Sequence, residues 1–186
     1  MDPFSQGVLG ASFAQSIFRR EKIIPVGLAA GLSGMAPDLD IIIRSSNDPL
    51  LFLEFHRQFT HSLLFVPLGA LVVALTLHFF FKKYLSWKEN YLVCFLGYGT
   101  HALLDACTSY GTHLFWPFSS SRTAWNFISV IDPIFTLPMI LLCVIGSIKR
   151  ARCYVILGLG WGLLYVSLGM VQNTRALNLG AALALS

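Results

Sequence analysis

Residues 61–81 read HSLLFVPLGALVVALTLHFFF. No Asp, Glu, Lys or Arg interrupts this run. A helix of about 20 apolar residues is what crosses the hydrocarbon core of a bilayer. Runs of the same kind flank it at Ile23 to Ile43, Tyr91 to about Cys107, Val130 to Ile148 and Cys153 to Val171. A shorter one, Phe4 to Phe18, would span only about 22 Å as a helix. It fits a short crossing of a thin membrane, or a helix lying in the interface. The expected fold is all-α: a polytopic membrane helix bundle with five long transmembrane helices plus one short N-terminal apolar helix. A single domain, 1–186, would hold them all.

Composition points the same way. The 186 residues are 55% hydrophobic and 12% charged, with a mean hydropathy of +0.68. Soluble domains carry about 25% charged residues. A disordered chain, a coiled coil and an ordinary water-soluble enzyme are thereby excluded. The net charge of +4 comes from short loops rather than from a basic face, so no nucleic-acid partner is expected. Cys94, Cys107, Cys143 and Cys153 form no CxxC pair, and nothing in their spacing suggests disulfides or a zinc knuckle. The start, MDPFSQGVLG, lacks the basic region of a cleavable signal peptide and is expected to stay in the mature chain.

Charge sets the orientation. Arg19, Arg20, Lys22, Lys82, Lys83, Lys88, Lys149, Arg150 and Arg152 fall in one set of connectors. Arg44, Arg57, Arg122 and Arg175 fall in the other. The richer side is expected to be cytoplasmic. Asp38, Asp40, Asp48, Glu54, Asp105 and Asp132 gather toward the opposite side, with His56, His61, His101 and His113. Groups able to bind a metal therefore collect at one end of the bundle, from different segments.

Three stretches carry this chemistry. In GYGTHALLDACTS, His101 and Asp105 lie four apart, on one helical face. An ionisable pair in an apolar span needs a partner or a task; the plainer task is a hydrogen bond joining helices. In GMAPDLD, Pro37 disfavours helix at Ala36, leaving Asp38 and Asp40 near a helix end, as caps or as oxygen ligands. In FHRQFTHSLLF, Thr60 is placed to cap the second long helix, with His61 in its first turn. Together, Asp38, Asp40, His61, His101 and Asp105 suit a divalent ion: Zn first, with Mn or Fe as alternatives. One or two such ions would activate water for hydrolysis, with Asp40 as a candidate general base. Arg57 and Arg122 are candidates to hold a phosphate. Trp116 belongs to an aromatic connector that is either an interfacial belt or a cover over the site. Asp132, directly before Pro133, is expected to cap the fourth helix, or to support the metal from behind.

The stretches APDLD, HRQFTHSLL, GYGTHALLDACTSYGTHLFWPFS and ISVIDP resemble the YdjM-like family of inner-membrane metal-dependent hydrolases. The resemblance implies a bacterial inner-membrane enzyme with Asp38, Asp40, His61, His101 and Asp105 as metal ligands. It also matches His56 and Arg57 to the pair preceding the FTHS stretch. Relatives often carry Thr-His near the N-terminus where this chain has Ser5-Gln6; Gln6 would then bind a metal more weakly, through its amide oxygen. Relatives like this one also continue into a polar C-terminal domain. The ending NLGAALALS is expected to mark a shorter member, or a chain cut before an outer domain. The expected substrate is a membrane lipid or lipid-linked phosphoester. A lipid amide or ester, or a metal or proton transporter, is the alternative.

Overall fold

The computed structural model describes residues 1–42 and 58–184, the last eight of these as backbone. Among them are six α-helices: α1 (Pro3–Ile17), α2 (Ile23–Met35), α3 (Val66–Phe81), α4 (Trp87–Ala106), α5 (Pro133–Ile148) and α6 (Arg152–Ala184). The fold is all-α. Two isolated bridges, Thr108 with Ile128 and Thr112 with Thr123, tie the 107–132 connector together. By length and composition one helix, over Arg152–Ala176, suffices to cross a membrane; Val66–Phe81 and Pro133–Ile148 are shorter apolar helices.

The helix ends follow local chemistry, and several differ from the sequence reading. α4 starts at Trp87, because Ser86 and Glu89 form a reciprocal capping box. The S-x-x-E signal was there to be read. α3 starts at Val66, so His61 lies outside it, in a 3-10 turn over Phe59–His61. The reason is Pro67, which fits a first helical turn but would clash with the carbonyl four residues back in an interior one. α2 gives way at Ala36 to a 3-10 segment, Ala36–Ile42. Ala36 keeps right-handed helical angles despite the following Pro37, so the chain tightens there instead of breaking. Asp132 caps α5 by accepting from Phe135 N at 3.2 Å.

α1 forms where the short N-terminal helix was expected, and it packs at the centre of the bundle. Ser5, Gln6, Gly10, Ser12, Ala14 and Gln15 are buried, and the helix packs on α2, α4, α5 and α6. Small residues allow this. A Cβ on Gly97 of α4 would stand 2.2 Å from the Ala30 carbonyl oxygen, and one on Gly34 would stand 2.9 Å from that of Gln6. The three backbones of α1, α2 and α4 thus approach as closely as the small-residue interfaces of membrane helices do. The outer faces run the other way. Along α3, Gly69, Ala70 and Ala74 face inward, while Leu68, Val72, Leu75 and Phe79 are exposed. α5 and α6 repeat the pattern with Leu137, Leu141, Leu163 and Leu168.

The contacts also set the two ends. Lys22 pairs with Glu89, and Gln15 reaches Ile23 O and Ser147 Oγ, both at 2.8 Å. That is the basic end. At the other end, Tyr98 Oη donates to Thr60 O, and Asp2 N to Val130 O.

Candidate metal centre

At this second end, Asp38, His61, His101 and Asp105 each present one atom, and the four atoms lie within 4.8 Å of one another. Both imidazoles and the Asp105 carboxylate are fully buried, and the Asp38 side chain is 18% exposed. His61 Nε2 stands 3.4 Å from Asp38 Oδ1 and 3.4 Å from Asp105 Oδ2. His101 Nε2 stands 3.6 and 3.7 Å from the same two oxygens. Ligands held 2.0–2.2 Å from a tetrahedral ion stand about 3.3–3.6 Å from each other. The spacing therefore suits ligands around a common ion better than direct hydrogen bonds, which favour 2.7–3.2 Å.

The hydrogen bonds behind the imidazoles decide which nitrogens face this point. His101 Nδ1 lies 2.6 Å from the Gly34 carbonyl oxygen. A carbonyl only accepts, so Nδ1 carries the proton and Nε2 keeps its lone pair. Buried His101 Nε2 makes no hydrogen bond among the described residues. Thr60 Oγ1 donates to Asp40 Oδ2 at 2.8 Å, so it receives the proton of His61 Nδ1, 2.9 Å away. Asp40 Oδ2 itself is 3.5 Å from His61 Nδ1. His61 thus also turns Nε2 and its lone pair toward the carboxylates. These are the supports that orient metal-binding histidines. Thr60 was expected to cap the second long helix, which starts instead after Phe65, and its hydroxyl serves His61; the Gly34 carbonyl and Tyr98 were not singled out in the sequence. Thr60 adjoins His61 in sequence, but a backbone carbonyl leaves no signature there.

The structure sorts the other expected residues. Asp40 lies on the far side of the His61 ring, away from the four converging atoms. Gln6 does reach the cluster: its Nε2 donates to Asp105 Oδ1 at 2.8 Å. Its buried Oε1 has no hydrogen-bond partner among the described residues. The Met1 amino group also contacts Asp105 Oδ1. Both contacts engage one carboxylate oxygen and turn the other, Oδ2, toward the histidines. Asp132 is occupied elsewhere, by Phe135 N and by Tyr165 Oη at 2.9 and 3.1 Å. Arg122 is exposed and lies 4.7 Å over the Tyr110 ring. Burial, and then the charge of Arg122, lower the pKa of His113. Trp116 packs 6.4 Å from Phe59, two residues before His61. His56 and Arg57 lie outside the described residues.

The 107–132 connector folds back over the end of α4. Trp125 N and Phe127 N donate to Ala106 O and Cys107 O, both at 2.8 Å. Leu63 N donates to Leu114 O, which fastens the His61 segment to the connector. Gly111 turns the chain with φ +67°, where a Cβ would meet Thr123 O at 2.4 Å.

Two imidazole nitrogens and two carboxylate oxygens are a donor set for Zn, Mn or Fe(II). The arrangement can hold one divalent ion among buried side chains, with Asp38 the most exposed of the four.

The family described as YdjM inner membrane protein matches residues 1–176. A curated relative, the uncharacterized protein YfhP of Bacillus subtilis (strain 168), is 29% identical over 107 residues. That stretch is 57% of this chain and 32% of the relative, so the match spans about a third of that protein's length. No solved structure matches the chain. The family match takes in all four clustered residues and every helix up to the last turns of α6. The chain belongs to the YdjM inner membrane protein family.

Proposed function

We propose that this chain is a membrane-embedded metal-dependent hydrolase acting on a lipid or lipid-linked phosphoester. The observation that carries the reading is the convergence of His61 Nε2, His101 Nε2, Asp38 and Asp105, with both imidazoles held in the metal-binding tautomer. In this reading the bundle crosses the bilayer several times. The outward leucines and phenylalanines of α3, α5 and α6 support it, although most of these helices are short. The lysine and arginine bias supports a cluster facing the periplasm or exterior; at headgroup depth it would meet the phosphate of a bilayer-bound substrate.

Asp38, His61, His101 and Asp105 would be the ligands, with Zn the first candidate and Mn or Fe next. When bound, such an ion supplies Lewis acidity that brings the pKa of a water toward 7 and polarises a phosphoryl oxygen. The protein does the rest. Asp40 and Thr60 fix the His61 tautomer, and Gly34 O fixes that of His101. Gln6 holds one oxygen of Asp105, and its unused Oε1 would be the added donor if a second ion enters. Asp38, the most exposed of the four, would face the side from which water and substrate enter. His56, Arg57, Arg122 and Trp116 would be the substrate contacts in this reading. Asp132 acts at a distance, by starting α5.

An ester or amide of a lipid would use the same groups, so a substrate panel separates these readings. The transporter reading has less support. Among the described residues the buried carboxylates Asp40, Asp105 and Asp132 all lie toward the cluster end, which suits a site rather than a path.

The test is turnover of lipid phosphoesters by detergent-purified protein, with chelator and with Zn or Mn added back. Turnover lost in His101→Ala and lost reversibly to chelator is expected. Unchanged turnover in His101→Ala would sink the proposal.

A further inference from the structure

The basic end of the bundle carries a second feature, independent of the metal cluster. A cleft of about 350 Å³ opens between the Arg20–Lys22 turn, the end of α3 and the α5–α6 turn. Lys22, Arg150, Glu21 and Tyr84 stand around it, and Ile24 and Leu28 form part of its apolar wall. Those two residues also line the next groove, with Cys143 and Val144 of α5. From there the groove continues past Gly31 and Leu32 to Met35 and Phe4, enclosing about 420 Å³. Leu28 lines all three, which adjoin one another along α2 as an open channel, the second and third also bordered by α1 and α5. Gly7, Gly27 and Gly31 line it and let α1 and α2 pack closely, since a Cβ on Gly27 would stand 2.1 Å from Gln15 Nε2. From Ile24 to Met35 the channel runs about 17 Å along α2, roughly the depth of one leaflet of a bilayer whose hydrocarbon core is about 30 Å.

Among the described residues the mouth of the channel carries one cation outside any ion pair, Arg150, beside the Lys22–Glu89 pair and Glu21. The connectors at this end hold nine Lys and Arg against two carboxylates, Glu21 and Glu89. Glu89 is already taken by Lys22, at 2.6 and 2.8 Å. Arg150 is the more telling residue. It sits at φ +50°, in the left-handed position that ends a helix and that glycine fills at no steric cost. Ala151 N closes the turn on Gly146 O at 2.9 Å. An arginine there carries a conformational cost, and among the described residues its guanidinium has no ion-pair partner. A strained backbone under an unpaired cation beside an apolar channel asks for a ligand that satisfies both.

We propose that this cleft binds an anionic phospholipid, with its phosphate on Arg150 beside Lys22 and one acyl chain in the α2–α5 channel. A guanidinium meets phosphate oxygens by forked hydrogen bonds, and a basic cleft between helices is a recognised place for acidic headgroups.

The experiment is thermal unfolding of the full chain in a neutral detergent, titrated with phosphatidylglycerol, phosphatidylcholine or inorganic phosphate. Phosphatidylglycerol is expected to raise Tm by about 5–10 °C at a hundredfold excess over its Kd; the other two leave it unmoved. Arg150→Gly should fold at least as well, because the left-handed position suits glycine, yet lose the shift. Leu28→Trp should lose it by filling the channel while the cations remain. Lys88→Gln, at the same end but outside the cleft, should keep it. An equal phosphatidylglycerol shift in Arg150→Gly would overturn the proposal. So would an equal response to phosphatidylcholine, which means belt lipid only, or to inorganic phosphate, which means an anion site without a chain. None of these readouts involves metal or turnover, so this inference can fail while the hydrolase reading stands, or the reverse.

Discussion

Gln6 and Gln15 lie on the same helix, and both are buried to within 2%, yet they sit in opposite settings. Gln15, toward the basic end, uses both ends of its amide. Its Nε2 donates to Ile23 O and Ser147 Oγ, and its Oε1 receives Cys143 Sγ at 3.3 Å. Gln6, toward the cluster, donates to Asp105 and leaves Oε1 without a hydrogen bond among the described residues. His101 Nε2 beside it is in the same condition. A buried polar group with all partners present is part of the scaffold; buried acceptors without donors are costly unless a cation joins them. For these two glutamines the state of the amide oxygen tells scaffold from site; it is not a rule for the whole bundle, since Asn90 Oδ1 and His78 Nδ1 at the basic end also lack a hydrogen-bond partner among the described residues.

Replacing a group at the cluster should cost metal, and replacing one at the other end should cost only stability. His101→Ala should show the largest effect. Its metal affinity should fall by more than the roughly 10–100-fold that loss of a supporting hydrogen bond costs, read by competition with a chelating dye. Asp40→Asn and Gln6→Leu remove such supports, and about 10–100-fold weaker binding is expected of each in the same assay. Gln15→Leu strands Ser147 and the Ile23 carbonyl, for about 1–3 kcal/mol of stability, with metal content unchanged. If Gln15→Leu releases metal as readily as Gln6→Leu, the contrast between the two ends is wrong. Gly97→Ala should cost a similar 1–3 kcal/mol, because its Cβ drives α4 off the Ala30 carbonyl. His101, one turn further on, should move with it, so this variant is expected to lose both stability and metal.

The smallest effect belongs to the Lys22–Glu89 pair. The hydrogen bond from Lys22 lowers the pKa of Glu89 from 4.5 to about 2. A depressed carboxyl stabilises the fold above its unfolded pKa, and the contribution fades as pH falls from about 4.5 toward 2. Both side chains are about a third exposed, so solvent screens the pair to less than about 1 kcal/mol. Glu89→Gln should remove that acid limb from a pH series of melting curves and leave metal binding alone.

Much of the architecture is legible in the apolar runs, because an apolar stretch has few places to go. The all-α class and the later helices read directly from them. α1 also reads from its apolar run, Phe4 to Phe18, but its central place does not, since Ser5, Gln6, Ser12 and Gln15 dilute its hydropathy and its glycines speak of packing only once the partner helices are known. At the site, the i, i+4 pair His101 and Asp105 is readable from helical geometry alone. The split between Asp38 and Asp40 is not. It depends on the 3-10 winding of Ala36–Ile42, which sends the two carboxylates to opposite nitrogens of His61. The exclusion of His61 from α3 was readable from Pro67, six residues on.

Elemental analysis of detergent-purified protein, beside a His101→Ala/Asp105→Ala double variant, addresses the cluster most directly. Near-stoichiometric Zn, Mn or Fe in the wild type, absent from a folded double variant, is the expected result. A folded wild type that stays free of metal after reloading would contradict it, and would leave His61, His101 and their carboxylates as a network that joins helices.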